Sequence, residues 1–124
     1  MAKPVVAVLA TDKDQCQEIS ELLRASDYPT VALHSFEDLH EQIRGALVKV
    51  LLVDLDNMVV DNAFFRNVKK RQPGVFILVF SSASHHPDLK EAMGSHIYAC
   101  LAKPLDTEEL LYWLWSISEH EAVP

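Results

Sequence analysis

A regular alternation between two hydrophobic periods constrains this chain more than any other feature. Apolar runs rich in β-branched residues recur at Val5 to Ala10, Thr30 to His34, Val48 to Val53, Val75 to Phe80 and Ile97 to Leu101. Short continuous runs of this kind read as strands buried on both faces. Between them the spacing turns helical, most clearly in Asp14 to Arg24, where Ile19, Leu22 and Leu23 form an inward stripe and Glu18 and Glu21 point out. Phe36 to Arg44, Asn62 to Arg71, Pro87 to Met93 and Asp106 to Ser118 are the other helical segments. Ser35 and Asp106 stand where N-caps are needed, Glu109 completes a capping box, and Gly45 and the pair Pro73 and Gly74 stop helices.

Five consecutive βα units predict a single α/β domain. Its sheet is parallel and five-stranded, with right-handed crossovers and helices on both faces. At 124 residues the chain can bury one core without disulfides or metal. That core is expected over about residues 5–118, with 119–124 as a tail or the start of a linker. With 49% apolar and 23% charged residues the composition is not that of a disordered chain. No apolar run approaches the roughly 20 residues of a membrane span, and no leader pattern precedes Val5, so a cytoplasmic protein is expected. Cys16 and Cys100 are too few and too far apart for a zinc cluster or a disulfide framework, and read as buried free thiols. A net charge of −7 argues against direct nucleic-acid binding. The basic triplet Lys69, Lys70 and Arg71 falls at a helix end, where cations complement the dipole.

Open parallel sheets bind ligands outside the carboxyl ends of their strands. The residues expected there are Ala10, Thr11 and Asp12, then Asp54, Leu55 and Asp56, then Ser81 and Ser82, then Lys103. A carboxylate in such a crevice can act as nucleophile or metal ligand. A phosphoryl group on an aspartyl oxygen needs a facing cation, a hydroxyl or amide for its equatorial oxygens, and usually Mg²⁺. Lys103 and Ser81 meet the first two needs. Asp54 and the Asp56 backbone carbonyl supply part of the third, and Asp12 is the nearest further acid.

The segments Leu51 to Asp56 (LLVDLD) with Asp61 and Asn62, Ile77 to Ser82 (ILVFSS) and Ala102 to Leu105 (AKPL) give the stretch from Val5 to about Ser118 its family resemblance. In order and spacing it resembles the receiver domain of two-component response regulators. The resemblance implies a flavodoxin-like (βα)5 fold with strand order 2-1-3-4-5. It makes Asp54 the phosphoacceptor, Ser81 the switch hydroxyl, Lys103 the facing lysine, and Pro104 the proline after a cis peptide bond. It implies a histidine kinase or phosphotransfer protein as partner, and a signalling module rather than an enzyme. It also implies a dimer or output face built from the fourth helix, fifth strand and last helix.

The departures are as specific as the matches. Ala10 and Thr11 align with the two acids that hold Mg²⁺ in receivers, which leaves Asp12, Asp54 and Asp56 as a weak Mg²⁺ site and implies slow or absent Mg²⁺-dependent phosphorylation. Cys100 stands where the family has a switch aromatic, with Tyr98 at the same strand parity. Met58 replaces a common proline, and Gly94 to Lys103 is two residues longer than usual.

Two alternatives use the same residues. Asp54 and Asp56 form a D-x-D that resembles the haloacid dehalogenase phosphatases, but that pair ends the third strand rather than the first, and the residues after Lys103 read as a helix, with no strand ending in two acids. A pseudo-receiver acting through protein interaction alone is the other. A nucleotide or flavin binder would want a glycine-rich loop after the first strand, and Thr11 to Cys16 contains no glycine.

At 100° per residue, Leu110, Leu111, Leu114 and Ile117 share the inward face of the last helix, with Trp113 and Trp115 on its flanks and Tyr112 nearly opposite. Three aromatics in four residues exceed what one helix hides, so Tyr112, Trp113 and Trp115, with Tyr98 and Cys100, are the expected interface. His85 and His86 read as a solvated loop.

Overall fold

The computed structural model describes residues 3–45, 48–56, 58–83 and 85–122. The elements run β1 (Val5–Leu9), α1 (Lys13–Ala25), β2 (Thr30–Leu33), α2 (Phe36–Gly45), β3 (Val48–Asp54) and α3 (Asn62–Arg71). They continue with β4 (Phe76–Ser81), a 3₁₀ turn (Pro87–Leu89), α4 (Lys90–Ser95), β5 (Ile97–Ala102) and α5 (Thr107–Ala122). All five strands are parallel in the order β2-β1-β3-β4-β5. No helix among the described residues is long and apolar enough to cross a membrane.

Strand alternation divides the core between the two faces of the sheet. Ala7, Leu9, Leu51, Val53, Ile77 and Val79 face Leu39 of α2, Phe65 and Val68 of α3, and Ala92 of α4. Val6, Val8, Val50, Leu52, Leu78 and Phe80 face Ile19 and Leu23 of α1 and Leu110, Leu114 and Ile117 of α5. Because every central strand is covered twice, its residues are apolar without interruption until the strand reaches its polar end.

The predicted caps form, with Ser35 Oγ accepting from the Asp38 amide at 3.2 Å and Asp106 Oδ1 accepting from the Glu108 amide at 2.9 Å. Helix α1 closes with Asp27 in the left-handed region at φ 68, and the Asp27 and Tyr28 amides return to the Arg24 and Leu23 carbonyls at 3.0 and 2.9 Å. This turn satisfies two terminal carbonyls and buries the Tyr28 ring.

Several expectations change. The segment from Pro87 forms a 3₁₀ turn followed by a six-residue helix. Helix α5 continues past Ser118 to Ala122. The shared parity of Tyr98 and Cys100 is broken by a register shift, since Ile77 pairs with Ile97 but Leu78 pairs with Ala99. Tyr98 is thus an extra residue, a β-bulge. Its ring lies edge-on to Phe76 at 5.3 Å and Trp113 at 5.8 Å, on the α5 side, and its hydroxyl meets Ser116 Oγ at 3.0 Å. Cys100 turns to the other face, beside Lys90 and Met93. Of the two thiols expected to be buried, only Cys16 is; Cys100 is exposed because β5 is an edge strand and the short α4 leaves it uncovered.

Candidate functional site

The carboxyl ends of β3, β4 and β5 bring Asp54, Ser81 and Lys103 together. Strands β3 and β4 each run one residue beyond their apolar stretch, so Asp54 pairs with Phe80 and Ser81 with Ala102 as members of the ladder. The Leu55 amide bonds to the Phe80 carbonyl at 3.0 Å, and the Lys103 amide bonds to the Ser81 carbonyl at 3.0 Å. The backbone of the site is therefore as fixed as the sheet. The Lys103–Pro104 peptide bond is cis, as the resemblance implies.

Asp54 is fully buried, with Oδ1 2.9 Å from Lys103 Nζ and accepting from the Asp56 amide at 2.9 Å. Lys103 Nζ is also 2.9 Å from Asp56 Oδ2, so one ammonium lies between two carboxylates. Asp56 holds more partners still: Ser81 Oγ donates to its Oδ1 at 2.8 Å and the Ser82 amide donates to its Oδ2 at 2.9 Å. Ser81 Oγ accepts in turn from the Ala83 amide at 3.0 Å, which orients its single proton toward Asp56. The Asp56 side chain is 25% exposed. Burial alone would raise its carboxyl, but the bonds from Lys103, the Ser82 amide and the Ser81 hydroxyl outweigh burial and hold it far below the usual carboxylate range. Burial opposes the charge on Lys103 too, yet its bonds to Asp54 and Asp56 raise it above an ordinary lysine.

Asp12 takes another part. It is the exposed N-cap of α1, its carboxylate accepting from the Gln15 amide at 3.1 Å, as favoured at that position. Mg²⁺ wants several oxygen ligands, commonly carboxylates, in near-octahedral array. Ala10 and Thr11 bring no acid to the strand ends, and no group of three His, Cys, Asp or Glu side chains that could hold a metal ion forms among the described residues. The expected trio of Asp12, Asp54 and Asp56 thus does not gather among the described residues, and Asp54 and Asp56 alone offer a divalent ion a poor site.

Asp61 caps α3 through the Phe64 amide at 2.9 Å, while Asn62 clips α3 to the next segment, donating to the Asp88 carbonyl at 3.1 Å and accepting from the Ala92 amide at 2.9 Å. Neither that clip nor the role of the Asp56 carboxylate follows from sequence spacing. The signal for Asp56 was present in the D-x-D itself, which sets two anions at one strand end against one lysine.

On α5, Leu110, Leu114 and Ile117 are buried, Leu111 and Trp113 are partly buried against the core, and Tyr112 and Trp115 are 56% and 57% exposed. Their rings are 6.3 Å apart.

A family model described as the response regulator receiver domain matches residues 6–114. A search of curated proteins finds no match. Among solved structures, the signal receiver domain of an HD domain-containing protein from Pseudomonas fluorescens Pf-5 is similar with a TM-score of 0.86 and 17% identity, over 98% of this chain and 99% of that one. A CheY-like response regulator receiver domain protein from Methanospirillum hungatei JF-1 gives 0.85 and 13% over the same shares. The beryllofluoride-activated NtrC4 receiver domain dimer gives 0.82 and 18%, over 94% of this chain and 97% of that one.

Proposed function

Because the chain belongs to the response regulator receiver domain family, we propose that it works as a cytoplasmic signalling receiver with Asp54 at the phosphoacceptor position, a poor Mg²⁺ site and an output or dimer face on α5. The observation that carries this reading is the buried Asp54 carboxylate 2.9 Å from Lys103, with Ser81 at the adjoining strand end. Transfer from a histidine kinase or phosphotransfer protein would form a bond between an Asp54 oxygen and phosphorus as the phosphorus–nitrogen bond breaks, the imidazole leaving with the electron pair. Lys103 would balance charge on the phosphoryl oxygens. The acid pair that concentrates Mg²⁺ is replaced by Ala10 and Thr11, so transfer is slow. The phosphatase alternative loses its general acid, because the Asp56 carboxylate is an ionised acceptor of three donors rather than a proton source.

Incubation with acetyl phosphate and Mg²⁺, read by intact mass, tests the reading. A slow gain of one phosphoryl group, absent in Asp54→Asn, is expected; rapid stoichiometric addition, or addition that survives Asp54→Asn, would defeat it. The α5 face has its own test. Self-association measured by sedimentation should weaken in Tyr112→Ala and Trp115→Ala with the fold retained, and a strictly monomeric wild type at high concentration would exclude the dimer.

A further inference from the structure

Asp56 uses both of its carboxylate oxygens, and the donors it has collected are chemically distinctive. They are a hydroxyl (Ser81), a backbone amide (Ser82) and an ammonium (Lys103), at 2.8, 2.9 and 2.9 Å. Together they make a small oxyanion site, since charge-assisted bonds of these lengths are what a phosphoryl group recruits. The same ammonium contacts Asp54, so the site adjoins the carboxylate on which a phosphoryl group would be built.

We propose that the Asp56 carboxylate is a built-in stand-in for a phosphoryl group, occupying the oxyanion place framed by Ser81, Ser82 and Lys103 and holding the end of β4 in its anion-bound arrangement without phosphorylation. This rests on the reading of Asp54 as phosphoacceptor-equivalent. A phosphoryl group on Asp54 would carry a charge of about −1.5 to −2 and would need the same donors. Ser81 has one hydroxyl proton, and it is committed to Asp56. Two anions would then face each other across one ammonium, so Asp56 excludes the added group by charge and by prior occupancy. Asparagine keeps the shape of the side chain but removes its charge and replaces one acceptor oxygen with an NH₂ that faces donors, so Asp56→Asn weakens the occupant and lets an added oxyanion displace it.

Two measurements on the full chain test this. Inorganic phosphate is titrated into wild type and Asp56→Asn while the Ser82 and Ala83 amide resonances are followed, with Asp56→Ala replacing the asparagine variant if it fails to fold. The variant should respond at a concentration at least about tenfold lower than wild type; equal response, whether both bind or neither does, overturns the proposal. In parallel, acetyl phosphate is added with and without Mg²⁺ and mass is recorded. An Asp54 oxygen bonds to phosphorus as the bond to the acetyl oxygen breaks and acetate leaves with the electron pair. The initial rate should rise at least about tenfold in the variant. Equal phosphorylation of both proteins sinks the stand-in and leaves the phosphoacceptor reading intact. Phosphate binding confined to the variant, with no mass gain in either, upholds the stand-in and removes the phosphoacceptor role.

Discussion

Replacing Lys103 by Met is the substitution that most directly tests how the site is held. It removes an ammonium 2.9 Å from both Asp54 Oδ1 and Asp56 Oδ2 but keeps an unbranched stem beside the Phe80 ring, whose centroid is 5.1 Å from Nζ. Breaking a buried ion pair from one side costs roughly 3–5 kcal/mol, because the remaining charge is left without its partner. Here Lys103 is 16% and Asp56 25% exposed, so water recovers part of that loss. Asp54 also keeps the Asp56 amide, and Asp56 keeps Ser81 and Ser82. A destabilisation of about 2–3 kcal/mol at neutral pH follows, or a fall in Tm of about 8–12 °C for a domain of this size. The pH dependence carries the sign. In the wild type the Asp56 carboxyl is depressed, so its contribution is complete above the ordinary value of about 4 and fades as pH falls below it. In the variant two carboxylates meet without a cation, so the folded state takes up a proton more readily than the unfolded chain and acid stabilises it. Urea unfolding at about pH 7 and about pH 4.5 should therefore show the gap between the two proteins narrowing on acidification. A gap under about 1 kcal/mol at neutral pH, or one that widens in acid, would refute the account.

Phe65→Ala removes a fully buried ring that packs edge-on against Phe64 at 5.0 Å. The expected loss is about 3–5 kcal/mol, read as a lower urea midpoint with unchanged slope. A thiol reagent should label Cys100 in the folded protein and Cys16 only on unfolding. Although the residue is exposed, partial desolvation of its sulfur and then the Glu109 carboxylate push the Cys100 thiol up, so its labelling rate should climb as pH rises above neutral; two thiols reacting at once in the native state would contradict the burial of Cys16.

Much of this architecture was legible because strand and helix periods differ so clearly. Val50 to Val53 and Ile77 to Phe80 read as doubly covered strands since nothing polar interrupts them, and Asp54 and Ser81 follow them directly. The ladder nonetheless includes those two polar residues, because hydrogen bonding continues where hydrophobicity stops. What stayed hidden depends on one-residue geometry or on competition between partners. Asp12 read in sequence as the nearest further acid for a metal, and its role as the α1 cap became visible only where the Gln15 amide meets its carboxylate. Asp56 was visible as an acid, but its three donors come from the last residue of β4, the residue after it, and the residue after β5, which no local pattern joins. The bulge at Tyr98 leaves no composition signal, so the facing of Cys100 was misread with it.

That bulge also acts as a phase correction. Side chains alternate strictly along a strand, so one inserted residue reverses the facing of everything after it. Deleting Tyr98 would leave Ile97 opposite Ile77 and Ala99 opposite Leu78 in unbroken alternation, so the rest of β5 would keep its facing and only the ring between Phe76 and Trp113 would be lost. The residues after the insertion run in fixed register with β4, up to Ser81 opposite Ala102. The inserted residue thus adds a ring contact to α5 at the start of the strand while leaving the pairing at its functional end unchanged.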